Sequence, residues 1–204
     1  MSRESWSQAL KRFIDVIVAG IGLLVAAPLL VAIALVIKLQ DGGPVLFKQA
    51  RIGRDGRPFT IYKFRSMVTD AEMLKAALLD RNEGAGHLFK MKSDPRVTPL
   101  GRILRRFSLD ELPQLLNILD GSMSLVGPRP HLAEEVARLP HDAQRRSLVR
   151  PGLTGLWQVS GRSSLDETES LRLDLSYVDN WSLTLDWSIL RRTVAVVLTS
   201  QGAH

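Results

Sequence analysis

The sequence predicts an α/β fold, mostly helical with a small β-hairpin or sheet, built behind an N-terminal membrane helix. Three observations predict it. Residues 13–37, FIDVIVAGIGLLVAAPLLVAIALVI, form an apolar run whose one charge is Asp15. Two short runs of β-type residues flank Asp55-Gly56, a strong hairpin signal. The rest of the chain is punctuated by helix-start patterns at Thr69, Thr98, Ser108 and Ser164.

The apolar run comes first. As a straight helix it measures roughly 37 Å, enough to cross a hydrocarbon core of about 30 Å. Its length, and the lack of a small-residue cleavage site before a polar start, argue against a signal peptide. Pro28 lies mid-run, where it removes a backbone donor and clashes with the preceding turn. A break there leaves limbs of about 22 Å and 15 Å, each too short to cross alone. Both flanks are basic: Arg3, Lys11 and Arg12 precede the run, and Lys38, Lys48, Arg51, Arg54 and Arg57 follow it. Lys and Arg favour the cytoplasmic side, so a helix that enters and returns on one face satisfies both ends. A kinked single span is the alternative, because prolines are tolerated in membrane helices.

Gly42, Gly43 and Pro44 end this helix. Strands are expected over 45–49 and 59–64. Thr69 to Glu72 reads as a capping box opening a helix to about Asp80, and residues 82–95 read as a loop. Thr98-Pro99 starts a short helix in which Leu100, Ile103, Leu104 and Phe107 share one face, with Arg102, Arg105 and Arg106 off it. Such a basic amphipathic helix suits either a lipid interface or an ordinary core. Ser108 begins the next helix, to about Leu119, and 121–130 form a turn ending in Gly-Pro-Arg-Pro. A helix over 131–139, a strand over 153–159, a helix from a Ser164 to Glu167 capping box to about Val178, and an apolar C-terminal stretch over 184–199 complete the reading. The expected organisation is a membrane helix at 1–40 and a catalytic domain at 41–204, acting as one continuous unit.

Net charge is +6 and the sequence pI is about 10.1, which suits phosphate-rich substrates, anionic lipid or nucleic acid. There is no cysteine, so disulfides and thiolate metal sites are excluded. The four histidines, His87, His131, His141 and His204, lack metal-ligand spacing. There is no Walker A loop and no G-x-G-x-x-G. No nucleic-acid reading motif is present, and few aromatics alternate with the basic residues.

Chemistry concentrates in residues 102–130, RILRRFSLDELPQLLNILDGSMSLVGPRP. Ser108 fits an N-cap with Glu111 as capping-box partner. That places Asp110 in a first turn, where free N–H groups and the helix dipole keep a carboxylate ionised and also receive phosphate. Arg105 and Arg106 can screen phosphate oxygens from an attacking anion. The same pattern is ordinary helix-start grammar. Glu111 either closes the box or, with Asp110, holds Mg²⁺; on a regular helix the two diverge by about 100°, so sharing a metal requires an irregular start. Arg129 stands between Pro128 and Pro130, which hold it with little entropy to lose and suit it to bidentate phosphate binding. A stiff loop with a solvated Arg is the alternative. Lys63 and Arg65, after the second strand, add charge to a phosphate site or are solvated.

Taken together, KRFIDVIVAG, GPVLFKQARIGRDGRPFTIYKFRSM, DPRVTPLGRILRRFSLDELPQLLNILDGSMSLVGPRP and VRPGLTGLWQVSGRSS resemble the bacterial sugar transferases, the monotopic phosphoglycosyl transferases of glycan assembly. The likeness runs from about Lys11 to Gly202. It implies a re-entrant helix broken at Pro28 with both ends cytoplasmic, on the bacterial inner membrane. The family often has Ser before this proline, where this chain has Ala27. It implies Asp110 as nucleophile and Glu111 as its dyad partner, Arg105 on phosphate, Arg129 on the nucleotide sugar, and a requirement for Mg²⁺. The implied reaction moves a sugar-1-phosphate from a UDP-sugar, on the C-terminal likeness a UDP-hexose, to polyprenyl (undecaprenyl) phosphate. UMP is released through a phosphosugar-aspartyl intermediate, in the first membrane step of exopolysaccharide, capsule, O-antigen or glycoconjugate synthesis. Expected partners are the UDP-sugar, the polyprenyl phosphate and membrane lipid, with no nucleic acid; an oligomer is compatible with this. The chain starts just before the re-entrant helix, as a short catalytic form or an excised module would.

Overall fold

The computed structural model describes residues 3–78, 80, 91, 93–161 and 165–199. A single helix, α1, runs Arg3–Asp41. Helical backbone continues through Pro28, as a proline that bends a helix without ending it allows. From Trp6 to Asp41, α1 is long and apolar enough to cross a membrane, and most of that surface faces away from the protein. One narrow stripe is the exception. Ala19 and Leu23, before Pro28, join a core with Ile61, Leu115, Ile118, Met123 and Tyr177. Leu30, Ile33 and Ile37, after Pro28, join a second core with Phe64 and Leu104. The two limbs thus enter different cores, and Leu24 and Val25 near the proline stand 77% and 75% exposed.

Strands β1 (Leu46–Ile52) and β2 (Pro58–Phe64) pair antiparallel, Leu46 opposite Phe64 and Ile52 opposite Pro58. Asp55 and Gly56 both take positive φ at the tip, 57° and 73°, as the hairpin signal required. Helix α2 (Ala71–Ala77) is shorter than expected and begins after Asp70 with no side-chain cap, so the Thr69 capping box does not form. Most of the expected loop over 82–95 lies outside the described residues. Helix α3 (Pro99–Arg106) is capped as read: Thr98 Oγ1 accepts from Gly101 N at 2.9 Å. Leu104 is buried, whereas Ile103 and Phe107 are 54% and 43% exposed, so the expected apolar face is split between core and surface.

Helix α4 (Gln114–Asp120) packs along α1. Arg12 of α1 donates to the carbonyls of Ile118 and Leu119 in the last turn of α4, at 2.6 and 3.0 Å. The segment 121–130 is not only a turn. It holds strand β3 (Ser124–Val126), which pairs in parallel with β4 (Gly152–Thr154). The strand expected over 153–159 is therefore displaced and reduced to three residues. Helix α5 is Ala133–Arg138, a 3₁₀ segment covers His141–Leu148, α6 is Glu167–Asp179 and α7 is Leu183–Thr199. Asp166 caps α6 by accepting from Glu169 N at 2.7 Å; Ser164, the expected cap, lies outside the described residues.

Asp15, the one charge in the apolar run, is 3% exposed and faces the body. It accepts from Ser124 Oγ at 2.8 Å and Leu125 N at 3.1 Å, tying α1 to β3. At the other end Arg65 grips Asp41 with both terminal nitrogens. Segments of α1 on both sides of Pro28 are thus fastened to one body.

Candidate active site

Chemistry gathers where α3 hands over to α4. The handover is not the regular helix start that the sequence suggested. Ser108 is left-handed (φ 55°, ψ 23°), its side chain caps nothing, and Leu109–Glu111 form one 3₁₀ turn before α4. A non-glycine residue in this conformation stores roughly 1–3 kcal/mol of strain. The turn at Ser108 leaves Asp110 buried and Glu111 beside it, partly exposed and paired with Lys63.

Asp110 is 8% exposed. Burial, and then the neighbouring Glu111, push its carboxyl above the usual carboxylate range; Lys63 and Arg105 pull it back. Helix-dipole reasoning alone gave the opposite balance, because it left out burial. Glu111 does not close a capping box. It accepts from Lys63 Nζ at 2.6 Å, with both side chains about 30% exposed (31% and 29%). Lys63 reaches this point from β2.

Arg105, near the end of α3, is fixed by donating from Nε to Ser66 Oγ at 2.9 Å. Gly101 makes that approach possible: a Cβ there would lie 1.9 Å from the Ser66 carbonyl oxygen, so only glycine lets α3 press against the strand exit. Burial lowers the Arg105 pKa, and Asp110 opposes this. Asp110, Glu111, Lys63 and Arg105 therefore form one electrostatic unit.

Arg129 stands in a neighbouring loop. Its guanidinium lies 5.5 Å from the ring centre of Trp157, a cation–π distance. Arg51 reaches this loop, donating from Nη1 to the Pro130 carbonyl at 3.1 Å. Pro28 is on the exposed flank of α1. Sequence reasoning did not single out Arg51, Asp174 and Arg146, which support the Arg129 loop; no local pattern marks them.

Among the described residues no cluster of three or more His, Cys, Asp or Glu forms a metal cage. Asp110 and Glu111 are the adjacent carboxylates available to a hard cation that takes its other ligands from phosphate and water.

The class so defined is a mostly helical protein with two small sheets, fastened to one long apolar helix, with a buried carboxylate set among cations at its flank. The chain belongs to the bacterial sugar transferase family, whose model matches residues 6–200. It is 47% identical over 195 residues to the galactosyl transferase CpsE of Streptococcus agalactiae, covering 95% of this chain and 43% of that protein. It is 44% identical over 202 residues to the undecaprenyl-phosphate galactose phosphotransferase of Salmonella typhimurium, covering 97% and 42%. With the UDP-glucose:undecaprenyl-phosphate glucose-1-phosphate transferase of Caulobacter vibrioides it shares 44% identity over 203 residues, covering 95% and 72%. The chain spans less than half the length of the first two of these relatives.

Proposed function

We propose that this chain is the catalytic unit of a phosphoglycosyl transferase that moves a hexose-1-phosphate from a UDP-hexose to undecaprenyl phosphate. The observation that carries the reading is Asp110, a carboxylate buried beside Lys63 and Arg105 in a chain related to enzymes named for this transfer.

An oxygen of ionised Asp110 attacks the sugar-bearing phosphorus of the donor. The bond from that phosphorus to the UMP oxygen breaks, and UMP leaves with the electron pair. Asp110 then carries the phosphosugar as an acyl phosphate. An oxygen of the lipid phosphate attacks the same phosphorus, the acyl bond breaks, and the carboxylate is restored. Arg105 and Lys63 offset the charge of two anions meeting, and Arg129 holds the diphosphate. Burial makes Asp110 a stronger nucleophile once ionised, because its oxygens are poorly solvated. Asp110 and Glu111 fit a Mg²⁺ ion, which when bound would supply further charge compensation on the diphosphate.

A re-entrant α1 on the cytoplasmic face is part of the reading. Its support is that residues on both sides of Pro28, from Asp15 to Asp41, fasten to one body. A straight helix from 15 to 37 would measure about 33 Å, so a perpendicular span would carry that body's polar surface through the hydrocarbon. Exposed Ile103 on α3 and Phe107 at its C-cap fit a body resting at the lipid interface next to Asp110.

Asp110→Asn should lose several orders of magnitude in UMP release from UDP-hexose. Mass spectrometry of the wild-type protein treated with donor alone should find phosphosugar on Asp110. Near-normal turnover in a variant free of deamidation would end the covalent reading. Labelling of cysteines introduced before Lys11 and after Asp41 should give access from one membrane side only; opposite sides would establish a span.

A further inference from the structure

The loop that presents Arg129 is held through its backbone. Four successive carbonyls accept hydrogen bonds from outside the loop: Pro128 O from Gly152 N at 2.9 Å, Arg129 O from Arg146 Nη2 at 2.7 Å, Pro130 O from Arg51 Nη1 at 3.1 Å, and His131 O from Ile52 N at 2.9 Å. At Arg129 one ion pair takes both backbone groups. The Arg129 N–H donates to Asp174 Oδ2 at 3.4 Å. That same oxygen accepts from Arg146 Nη2, the nitrogen that also serves Arg129 O.

Asp174 lies on α6 and Arg146 on the 3₁₀ segment, 2% and 6% exposed. Nη1 of Arg146 lies against the ring of His131, 2.6 Å from its nitrogens, which sets the guanidinium from the other side. We propose that Asp174 and Arg146 are a positioning pair for Arg129: they fix its backbone so that the guanidinium meets the donor diphosphate, and they do not touch the substrate themselves. The proposal rests on the reading of Arg129 as a diphosphate ligand.

Stability alone is a weak reason for such a pair. Buried ion pairs can often be exchanged for apolar residues of similar volume without loss. This one is also imperfectly satisfied, because Asp174 Oδ1 is buried with no hydrogen-bond partner among the described residues. Burial raises the Asp174 carboxyl to about 6, against the pull of Arg146 and Arg129, and leaves it ionised at neutral pH. An apolar pair could fill the space but could not hold the N–H and the C=O of Arg129 together.

The test compares kcat/KM for UDP-hexose in the full chain. Asp174→Leu with Arg146→Met keeps the volume and removes both bonds to the loop. It should lower kcat/KM about as much as Arg129→Ala does, roughly tenfold or more, and should add no further loss to Arg129→Ala. Arg146→Lys, which keeps the charge but loses the shared geometry, should act the same way to a smaller degree and serves if the double variant does not fold. Arg145→Gln with Asp179→Asn removes an exposed ion pair of 2.9 Å between the same two elements and should leave kcat/KM unchanged. Losses that multiply with Arg129→Ala, or wild-type kinetics in the pair variants while Arg129→Ala is impaired, would overturn the pair's role and leave the reading of Arg129 standing. Wild-type kinetics in Arg129→Ala would remove that reading itself, and the positioning role with it.

Discussion

Lys63 Nζ donates to Glu111 Oε1 at 2.6 Å, so the acidic neighbour of Asp110 is already held by a cation from the hairpin. Lys63 thus steadies two carboxylates at once. It binds one directly and draws down the pKa of the other.

Lys63→Met should therefore raise the Asp110 pKa further. In the proposed reaction Asp110 attacks as the carboxylate, so the acid limb of the kcat/KM profile moves to higher pH. The loss should be larger at acid pH than at alkaline pH. An unshifted acid limb would separate Lys63 from Asp110.

Asp110→Asn should gain stability as it loses activity. The folded-state pKa of Asp110 lies above its unfolded value of 3.8. Its ionised form therefore destabilises the fold at pH values above the folded pKa, and this penalty fades as pH falls through that pKa toward 3.8. Thermal unfolding in detergent should show a higher Tm for the variant at pH 8, with the gap closing toward pH 4. A lower Tm at pH 8 would contradict the burial argument.

Asp15→Ala should loosen α1 from β3. The variant leaves Leu125 N–H buried without its acceptor, a loss of about 1–3 kcal/mol. The expected readouts are a lower Tm in detergent and faster proteolysis between α1 and the hairpin. Asp15→Asn, which keeps an acceptor for that N–H, should lose less.

Gly101→Ala should be among the most damaging small changes in the chain. The added methyl meets the Ser66 backbone, which is not free to move while Thr98 N donates to Ser66 O at 3.1 Å. Overpacking of this kind costs about 1–3 kcal/mol or more. Tm should fall, and UMP release should fall further than folding explains, since Arg105 is aimed through Ser66.

Local features were legible in the sequence. The hairpin declared itself through Asp55-Gly56, and α3 through Thr98-Pro99, because each depends on residues a few positions apart. The grouping of Asp110, Glu111 and Arg105 followed from closeness along the chain and from family likeness, whereas Lys63 read only as a cation after the second strand and its pairing with Glu111, 48 positions on, was not legible. The Ser108 capping box failed because a capping pattern does not reveal a left-handed backbone at the capping residue itself. Strands β3 and β4 were hidden for another reason: three residues are too few to show alternation, and their partner lies across 25 or more intervening residues. Asp15 read as an oddity in an apolar run. Its partners, Ser124 and Leu125, lie more than 100 positions away, where no window reaches.

The stripe along α1 bears on how the protein can be handled. Ala19 and Leu23 complete one interior, and Ile33 and Ile37 another. A polypeptide begun at Asp41 would bare Leu115, Ile118, Phe64 and Leu104 to water, leaving a sticky fragment in place of a clean soluble enzyme. The greasy segment is thus an internal wall of the folded body as well as an exposed apolar surface. Grafting a foreign anchor in its place would require rebuilding that wall residue by residue.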